Sequence, residues 1–108
     1  MSFNIETTPR FDKDVKKLRK RFPKVKEDLK QLIAELKDNP TKGTHLGENI
    51  YKIRLQNSSI SAGKSGGFKV ISYYFLADTL YLVTMYSKND QDTILDKELK
   101  RIIQEEIS

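Results

Sequence analysis

Between residues 52 and 89, basic, phenolic and amide side chains lie within or beside hydrophobic segments. They are Lys52, Arg54, Lys64, Lys69, Tyr86, Lys88 and Asn89. Lys52 and Arg54 are two residues apart in an alternating segment, so both point to the same side of a strand. If the strands that contain these residues pair in sequence order, the side chains meet at one edge of the exposed face of the sheet.

A cluster of this composition suits a phosphate. Arginine offers a planar fork of donors, and lysine offers a movable point charge. Cleavage of RNA by its 2′-OH needs a base, an acid for the departing 5′-oxygen and stabilisation of the pentacoordinate state, and it needs no metal. A lysine beside other cations can act as the base, because neighbouring like charges lower its pKa. The same residues also fit plain nucleic-acid binding, or simple solvation of an exposed strand.

Several other chemistries are excluded by composition. The chain has no cysteine, which removes disulfides, thiolate catalysis and cysteine zinc sites. The single histidine, His45, excludes a cluster of histidine ligands, and its position in a predicted loop favours an exposed role. The segment GKSGG (63–67) lacks the spacing of a phosphate-binding P-loop and precedes a strand rather than a helix. We therefore expect neither a metal nor another cofactor.

The positive charge is unevenly distributed. Residues 1–46 carry twelve basic and seven acidic side chains, residues 47–88 five and two, and residues 89–108 three and six. Between Lys13 and Lys26, eight lysines and arginines accompany one acid, Asp14. Self-repulsion in such a cluster favours an anionic partner, although a solvated helix face is the alternative. The candidate RNA-binding residues here are Lys13, Lys16, Lys17, Lys20 and Lys24.

Hydrophobic spacing predicts the elements of the first half. A short alternating strand ends at Thr8-Pro9, and Pro9 suits the first turn of a helix. One helical stripe comprises Phe11, Val15, Leu18 and Phe22. After Pro23 a second stripe comprises Val25, Leu29, Leu32, Ile33 and Leu36, and this helix ends at Asn39-Pro40. The short link between the helices predicts an antiparallel hairpin.

Residues 41–108 predict a sheet followed by a helix. Residues 41–49 show no periodicity and indicate a loop, whereas residues 51–55 alternate as a strand. A polar connection over 57–67 leads to a β-hairpin formed by 68–77 and 80–86, and Leu95, Leu99, Ile102 and Ile103 mark a last helix. We predict one α+β domain over residues 1–108, with a small antiparallel sheet in the order β-α-α-β-β-β-α. The beginning MSFNIETTPRF resembles no targeting segment, so a soluble, cytoplasmic protein is expected.

Three segments, taken with the order of elements, resemble the RelE/ParE superfamily of bacterial toxins. They are YKIRL (51–55), GKSGGFKVISYYF (63–75) and LYLVTMYSKNDQD (80–92). The glycine-rich loop and the Tyr-Ser-Lys-Asn turn are similar to those of its HigB-like branch. The resemblance implies the toxin of a type II toxin–antitoxin system, an mRNA interferase that cuts messenger on the ribosome. It also implies a cognate antitoxin, often a helix-turn-helix protein, through which the toxin meets DNA only indirectly.

The resemblance assigns the family's active residues to the same cluster. Its two basic residues on the strand after the helices correspond to Lys52 and Arg54. Its basic residue at the start of the next strand corresponds to Lys69, and its basic residue after the last strand corresponds to Lys88. A tyrosine that some members place six residues further falls at Ile94 here, so Tyr86 is the nearest substitute. Lys64 resembles the loop lysine of the HigB-like branch, which implies RNA contact.

Two other functions stay open on the sequence. One is a ParE-like inhibitor of DNA gyrase without nuclease activity, although ParE members usually lack the full basic set on the sheet. The other is a degenerate member that only binds its antitoxin. In addition, the acidic last 20 residues could lie against the basic face of the sheet.

Overall fold

The computed structural model describes residues 3–60, 67–75, 78–88, 94 and 96–107. Within those ranges the elements follow in the order β1 (Asn4–Thr7), α1 (Pro9–Arg21), α2 (Val25–Asp38), β2 (Thr44–Gly47), β3 (Ile50–Leu55), β4 (Phe68–Phe75), β5 (Thr79–Ser87) and α3 (Asp96–Ile107). The predicted α+β class is confirmed, and the predicted elements occur in the predicted order. One strand, β2, is additional.

The five strands form one mixed sheet in the order β1-β5-β4-β3-β2. β1 runs parallel to β5, with Asn4 opposite Thr79 and Thr7 opposite Leu82, whereas the other neighbours are antiparallel. The prediction of a purely antiparallel sheet is therefore wrong. Residues 8–78 separate β1 from β5, so no hairpin turn constrains β1 to an antiparallel direction.

The helical hairpin covers one face of the sheet. Thr8 caps α1 by accepting a hydrogen bond from the backbone N–H of Phe11 at 3.0 Å, and proline occupies the first turn. Phe22 ends α1 and packs edge-on against Phe68 of β4, with ring centroids 5.6 Å apart. The core on this face also includes Phe11, Leu18, Val25, Leu29, Leu32, Leu36, Ile53, Val70, Leu80, Leu82 and Met85. Most residues of both predicted helical stripes are thus buried against the sheet, whereas Val15 and Ile33 are only half-buried.

α3 covers part of the opposite face. Its Leu99 and Ile102 pack with Ile50, Ile71, Val83, Tyr86 and Ile94 in a second core. The face that carries Lys52 and Arg54 is therefore only partly open, which corrects the expectation of an exposed face. An amphipathic helix must bury its apolar stripe, and the apolar residues in the middle of this face provide the surface. Of the helices described, none is long and apolar enough to cross a lipid bilayer.

β2 and its turn replace the loop predicted over 41–49. Glu48 and Asn49 connect β2 to β3, and both have positive φ, 51° and 65°, as a two-residue hairpin turn of type I′ requires. Gly43, with φ of 107°, approaches β3 so closely that a Cβ atom would lie 2.5 Å from the carbonyl oxygen of Lys52. The prediction failed because a four-residue strand flanked by glycines is too short to show an alternating pattern.

A bulge interrupts the pairing of β5 with β4. Ser72 lies opposite Leu82, but the preceding residue, Ile71, lies opposite Thr84. Val83 is therefore an extra residue in β5. One extra residue changes the side to which every later side chain of the strand points.

Candidate nucleic-acid interface

One row of side chains crosses three strands. Arg54 of β3 lies opposite Lys69 of β4, and Lys69 lies opposite Tyr86 of β5. Side chains at directly opposite positions have Cβ atoms about 4.5–5.5 Å apart. Strands β3, β4 and β5 thus pair in sequence order and bring these three residues together.

Two further lysines extend this row on the same face. Lys52 is two residues from Arg54 in β3 and lies opposite Ile71. Lys88 follows Tyr86 by two residues, and its backbone N–H donates to the carbonyl oxygen of Gly67 at 3.1 Å, which continues the ladder past the end of β5. We call Lys52, Arg54, Lys69, Tyr86 and Lys88 the sheet cluster.

The members of the sheet cluster differ in their access to solvent. Arg54 and Lys88 are exposed, whereas Lys52 and Lys69 are half-buried. Tyr86 is only 8% exposed and packs in the core beneath α3, together with Ile94 at 6%. The position that holds a tyrosine in some relatives therefore contributes apolar packing around Tyr86. A phosphate can reach the cations directly, while the phenol ring of Tyr86 forms part of the wall of the site.

Lys64 and Asn89 lie outside the described residues.

The five candidate RNA-binding lysines of the first half of the chain are all exposed: Lys13, Lys16, Lys17, Lys20 and Lys24. Within the described part of the chain, none of these five lysines forms an ion pair. Because α1 and α2 pack on the face opposite to the sheet cluster, the protein presents two cationic surfaces on opposite sides of its sheet. We call the five lysines the helix surface.

A groove of about 770 Å³ separates the outer sides of α1 and α2. Val15, Leu29 and Ile33 contribute apolar lining, and Lys16, Arg19, Lys26, Lys30, Asp12 and Glu27 contribute charge. No pattern in the sequence indicates this groove, because Val15 and Ile33 belong to the same apolar stripes as fully buried residues. Both are only half-buried in the structure.

His45 is not part of the sheet cluster. It lies opposite Tyr51, and the two rings stack with centroids 4.9 Å apart and planes 28° apart. Tyr51 and Lys52 are consecutive in β3, so the stacked pair points to the other side of the sheet from Lys52. Among the residues that the structure describes, histidine and carboxylate side chains form no group of three that could bind a metal ion.

The fold and the sheet cluster define a class of protein: a small α+β domain whose sheet carries a basic row beside a C-terminal helix. Residues 10–105 match the family model described as the RelE toxin of the RelE/RelB toxin–antitoxin system. The chain therefore belongs to the RelE toxin family, and its family implies an antitoxin partner.

A solved structure supports the same fold. A double arginine-to-alanine mutant of the Escherichia coli toxin RelE in the free state superimposes with a TM-score of 0.59 at 19% identity. The match covers 85% of this chain and 90% of that one. No curated protein sequence matches the chain significantly.

Proposed function

We propose that the protein is a ribosome-dependent mRNA endonuclease that blocks translation. The observation that carries this proposal is the row of Arg54, Lys69 and Tyr86, with Lys52 and Lys88 on the same face. Four cations at one end of a sheet face form a site for a polyanion, and the membership of the RelE toxin family favours messenger as that polyanion.

The cluster provides what transesterification of RNA requires. The 2′-oxygen attacks the adjacent phosphorus and loses its proton to a base, while the 5′-oxygen leaves and takes a proton from an acid. The products are a 2′,3′-cyclic phosphate and a 5′-hydroxyl. The exposed guanidinium of Arg54 binds the phosphate oxygens with its planar fork, and the charges of Lys52 and Lys88 stabilise the pentacoordinate state. Lysine side chains of the sheet cluster supply the proton carriers.

The helix surface has a different task in this proposal. Its lysines dock on ribosomal RNA, so that the sheet cluster on the other side of the molecule faces the messenger. Five exposed lysines without ion pairs among the described residues keep their charge available for phosphates. A protein that uses both surfaces at once acts in the cytoplasm, where ribosomes and messenger meet.

The finer family assignment and the roles of Lys64 and Asn89 belong to the same proposal. We place the protein in the HigB-like branch, on the glycine-rich loop and the Tyr-Ser-Lys-Asn turn of its sequence. Lys64 and Asn89 then contact RNA next to the sheet cluster in this proposal. The antitoxin covers the toxin's basic surface or displaces residues of that surface, and it links the toxin to DNA.

The test measures cleavage of messenger on ribosomes by primer extension, together with growth arrest. Lys52→Ala combined with Lys69→Ala should lower the cleavage rate by at least about a hundredfold, because charge stabilisation of the transition state is lost. Growth arrest should be relieved while the circular dichroism spectrum is kept. Lys30→Ala combined with Lys37→Ala is the matched control, since both lysines are exposed residues of α2, which packs on the opposite face of the sheet from the cluster.

Three outcomes would contradict the proposal. If the cluster variant arrests growth as strongly as the parent, the assigned residues are wrong. If the parent causes DNA damage with intact messenger, the protein is a gyrase inhibitor. If expression causes no toxicity at all, the chain only binds its antitoxin.

A further inference from the structure

The bulge at Val83 decides on which side of the sheet Tyr86 lies. Before the bulge, Leu80 and Leu82 point to the helical hairpin. After it, Met85 points to the hairpin and Tyr86 points to α3. Side chains alternate along an uninterrupted strand, so without the bulge Tyr86 would lie on the same side as Leu80 and Leu82.

The register without the bulge can be stated residue by residue. Continuing the pairing of Ser72 with Leu82 would place Met85 opposite Lys69 and Tyr86 opposite Phe68. Tyr86 and Lys88 would then leave the face that carries Arg54 and Lys69. The sheet cluster therefore exists only in the bulged register.

The side chains of Thr8, the N-cap of α1, and Asp14, in the second turn of α1, bind the bulged segment. The hydroxyl of Thr8 donates to the carbonyl oxygen of Val83 at 2.7 Å. One carboxylate oxygen of Asp14 accepts from the hydroxyl of Thr84 at 2.5 Å and from the backbone N–H of Met85 at 3.2 Å. Thr8, Thr84 and Met85 are each 2% exposed, so these polar groups have no access to bulk water.

These contacts take the place of strand pairing along the part of β5 that β1 does not reach. β1 pairs with β5 only as far as Leu82, and α1 begins two residues after β1 ends. Beyond Leu82 the free side of β5 would leave backbone groups buried without partners, which is costly. Thr8 and Asp14 satisfy those groups, and they do so at the residues that follow the change of register.

We propose that Thr8 and Asp14 are positioning residues that stabilise the bulged register of β5 and thereby place Tyr86 and Lys88 beside Lys69 and Arg54. The consequence for cleavage rests on the proposed function, whereas the consequence for register does not. The proposal also explains the single acid among eight cations between Lys13 and Lys26. Asp14 is half-buried and directed at β5, not at its cationic neighbours.

The first measurement reports the register directly. The chain has no cysteine, so pairs of introduced cysteines give an unambiguous disulfide. Lys69→Cys with Tyr86→Cys reports the bulged register, and Lys69→Cys with Met85→Cys reports the register without the bulge. Opposite residues of neighbouring strands meet the distance requirement of a disulfide, whereas residues that point to opposite sides do not.

In the otherwise unchanged chain, only the first pair should form a disulfide. Asp14→Leu should lower its yield about tenfold, the change expected when buried donors lose their acceptor, and should raise the yield of the second pair. Asp12→Leu is the matched control, since Asp12 is an exposed acid of the same helix with no hydrogen bond to β5 among the described residues. Thr8→Ser keeps the hydroxyl and should leave both yields unchanged, whereas Thr8→Val should act like Asp14→Leu.

If Asp14→Leu does not fold, milder variants test whether the contacts to β5 stabilise the bulged register. Asp14→Asn and Thr84→Val keep the shape of their side chains and remove part of the contact, and each should lower the yield of the first pair by a few fold. Folded variants with unchanged yields in both pairs would overturn the proposal.

The second measurement concerns cleavage, in chains that retain Lys69, Tyr86 and Met85. Asp14→Asn and Thr84→Val should reduce the cleavage rate by the same few-fold factor as the yield of the first cysteine pair, because only chains in the bulged register have the complete sheet cluster, with unchanged affinity for the ribosome. Equal loss of affinity and rate would indicate a merely structural role and overturn the positioning role. If the parent chain cleaves no RNA, the proposed function fails, and the disulfide yields still decide whether Thr8 and Asp14 set the register.

Discussion

Arg54 is the exposed end of the row that crosses β3, β4 and β5. Its partner positions, Lys69 and Tyr86, are more buried, so a ligand approaching from solvent meets the guanidinium first. A guanidinium binds a phosphate with two parallel hydrogen bonds, whereas an ammonium group of the same charge acts as a single point. A substitution at Arg54 can therefore separate the effect of the guanidinium's planar geometry from the effect of its charge.

Arg54→Lys should reduce the cleavage rate about 10- to 150-fold, because the loss of one charge-assisted hydrogen bond costs about 1.5–3 kcal/mol. The charge is kept, so the salt dependence of binding to ribosomes should not change. Cleavage rates across a salt series measure both effects, with Arg54→Ala for comparison. A lysine variant as active as the parent would show that Arg54 contributes only its charge.

Gly43 precedes β2 and lies close to β3, the strand that carries Arg54. Its φ is 107°, and a Cβ atom there would lie 2.5 Å from the backbone oxygen of Lys52. Gly43→Ala should lower the free energy of unfolding by about 2–3 kcal/mol, from backbone strain together with steric overlap. Urea denaturation measures this change.

Gly47→Ala is the control for Gly43→Ala. Gly47 also has positive φ, 98°, but no atom lies within 4 Å of a Cβ atom placed there. Only the conformational cost of about 1–2 kcal/mol should appear. Equal losses at the two positions would mean that contact with β3 contributes nothing at Gly43.

At the level of elements, α1 has two functions on its two sides. Its inner side buries Phe11 and Leu18 and binds the bulge of β5 through Asp14, and its outer side exposes Lys13, Lys17 and Lys20. Charge on the outer side can therefore be removed without disturbing the packing of the inner side.

Lys13→Ala, Lys17→Ala and Lys20→Ala together should weaken binding to ribosomes and reduce its salt dependence. Each lysine that no longer neutralises a phosphate lowers the slope of log K against log salt by about 0.7–0.9. The slope should therefore fall by about 2–3 if all three lysines bind phosphates. Unfolding midpoints should change little, since these side chains are exposed and form no ion pair within the described residues. An unchanged slope would remove the helix surface from the ribosome-binding assignment.

The elements that the sequence predicted best are those with strong local patterns. The stripes of α1 and α2 contain enough apolar residues to fix the helices, and the segments around Asp78-Thr79 fix the β4–β5 hairpin. The meeting of Arg54 with Lys69 then follows from the pairing of neighbouring strands. By contrast, β2 is four residues long and the bulge is one residue, Val83, and neither leaves a periodic signal.

At the level of the whole molecule, the failures of prediction concern contacts between distant parts of the chain. The parallel pairing of β1 with β5 and the cover that α3 gives to the basic face both depend on tertiary packing. Local propensity contains no information on either. The side on which Tyr86 lies is unpredictable for the same reason, because it depends on α1 contacting a strand that follows some 70 residues later.

The position of β1 also affects when the site forms. Thr8 and Val83, which form one of the contacts at the bulge, are 75 residues apart in the chain. Contacts of such long sequence separation form late and slowly, because loop closure costs entropy before any contact repays it. While the chain is being synthesised, α1 and α2 can form early, but β5 must emerge before β1 can join the sheet. A nascent chain therefore lacks a complete sheet cluster until nearly all of it has left the ribosome that makes it.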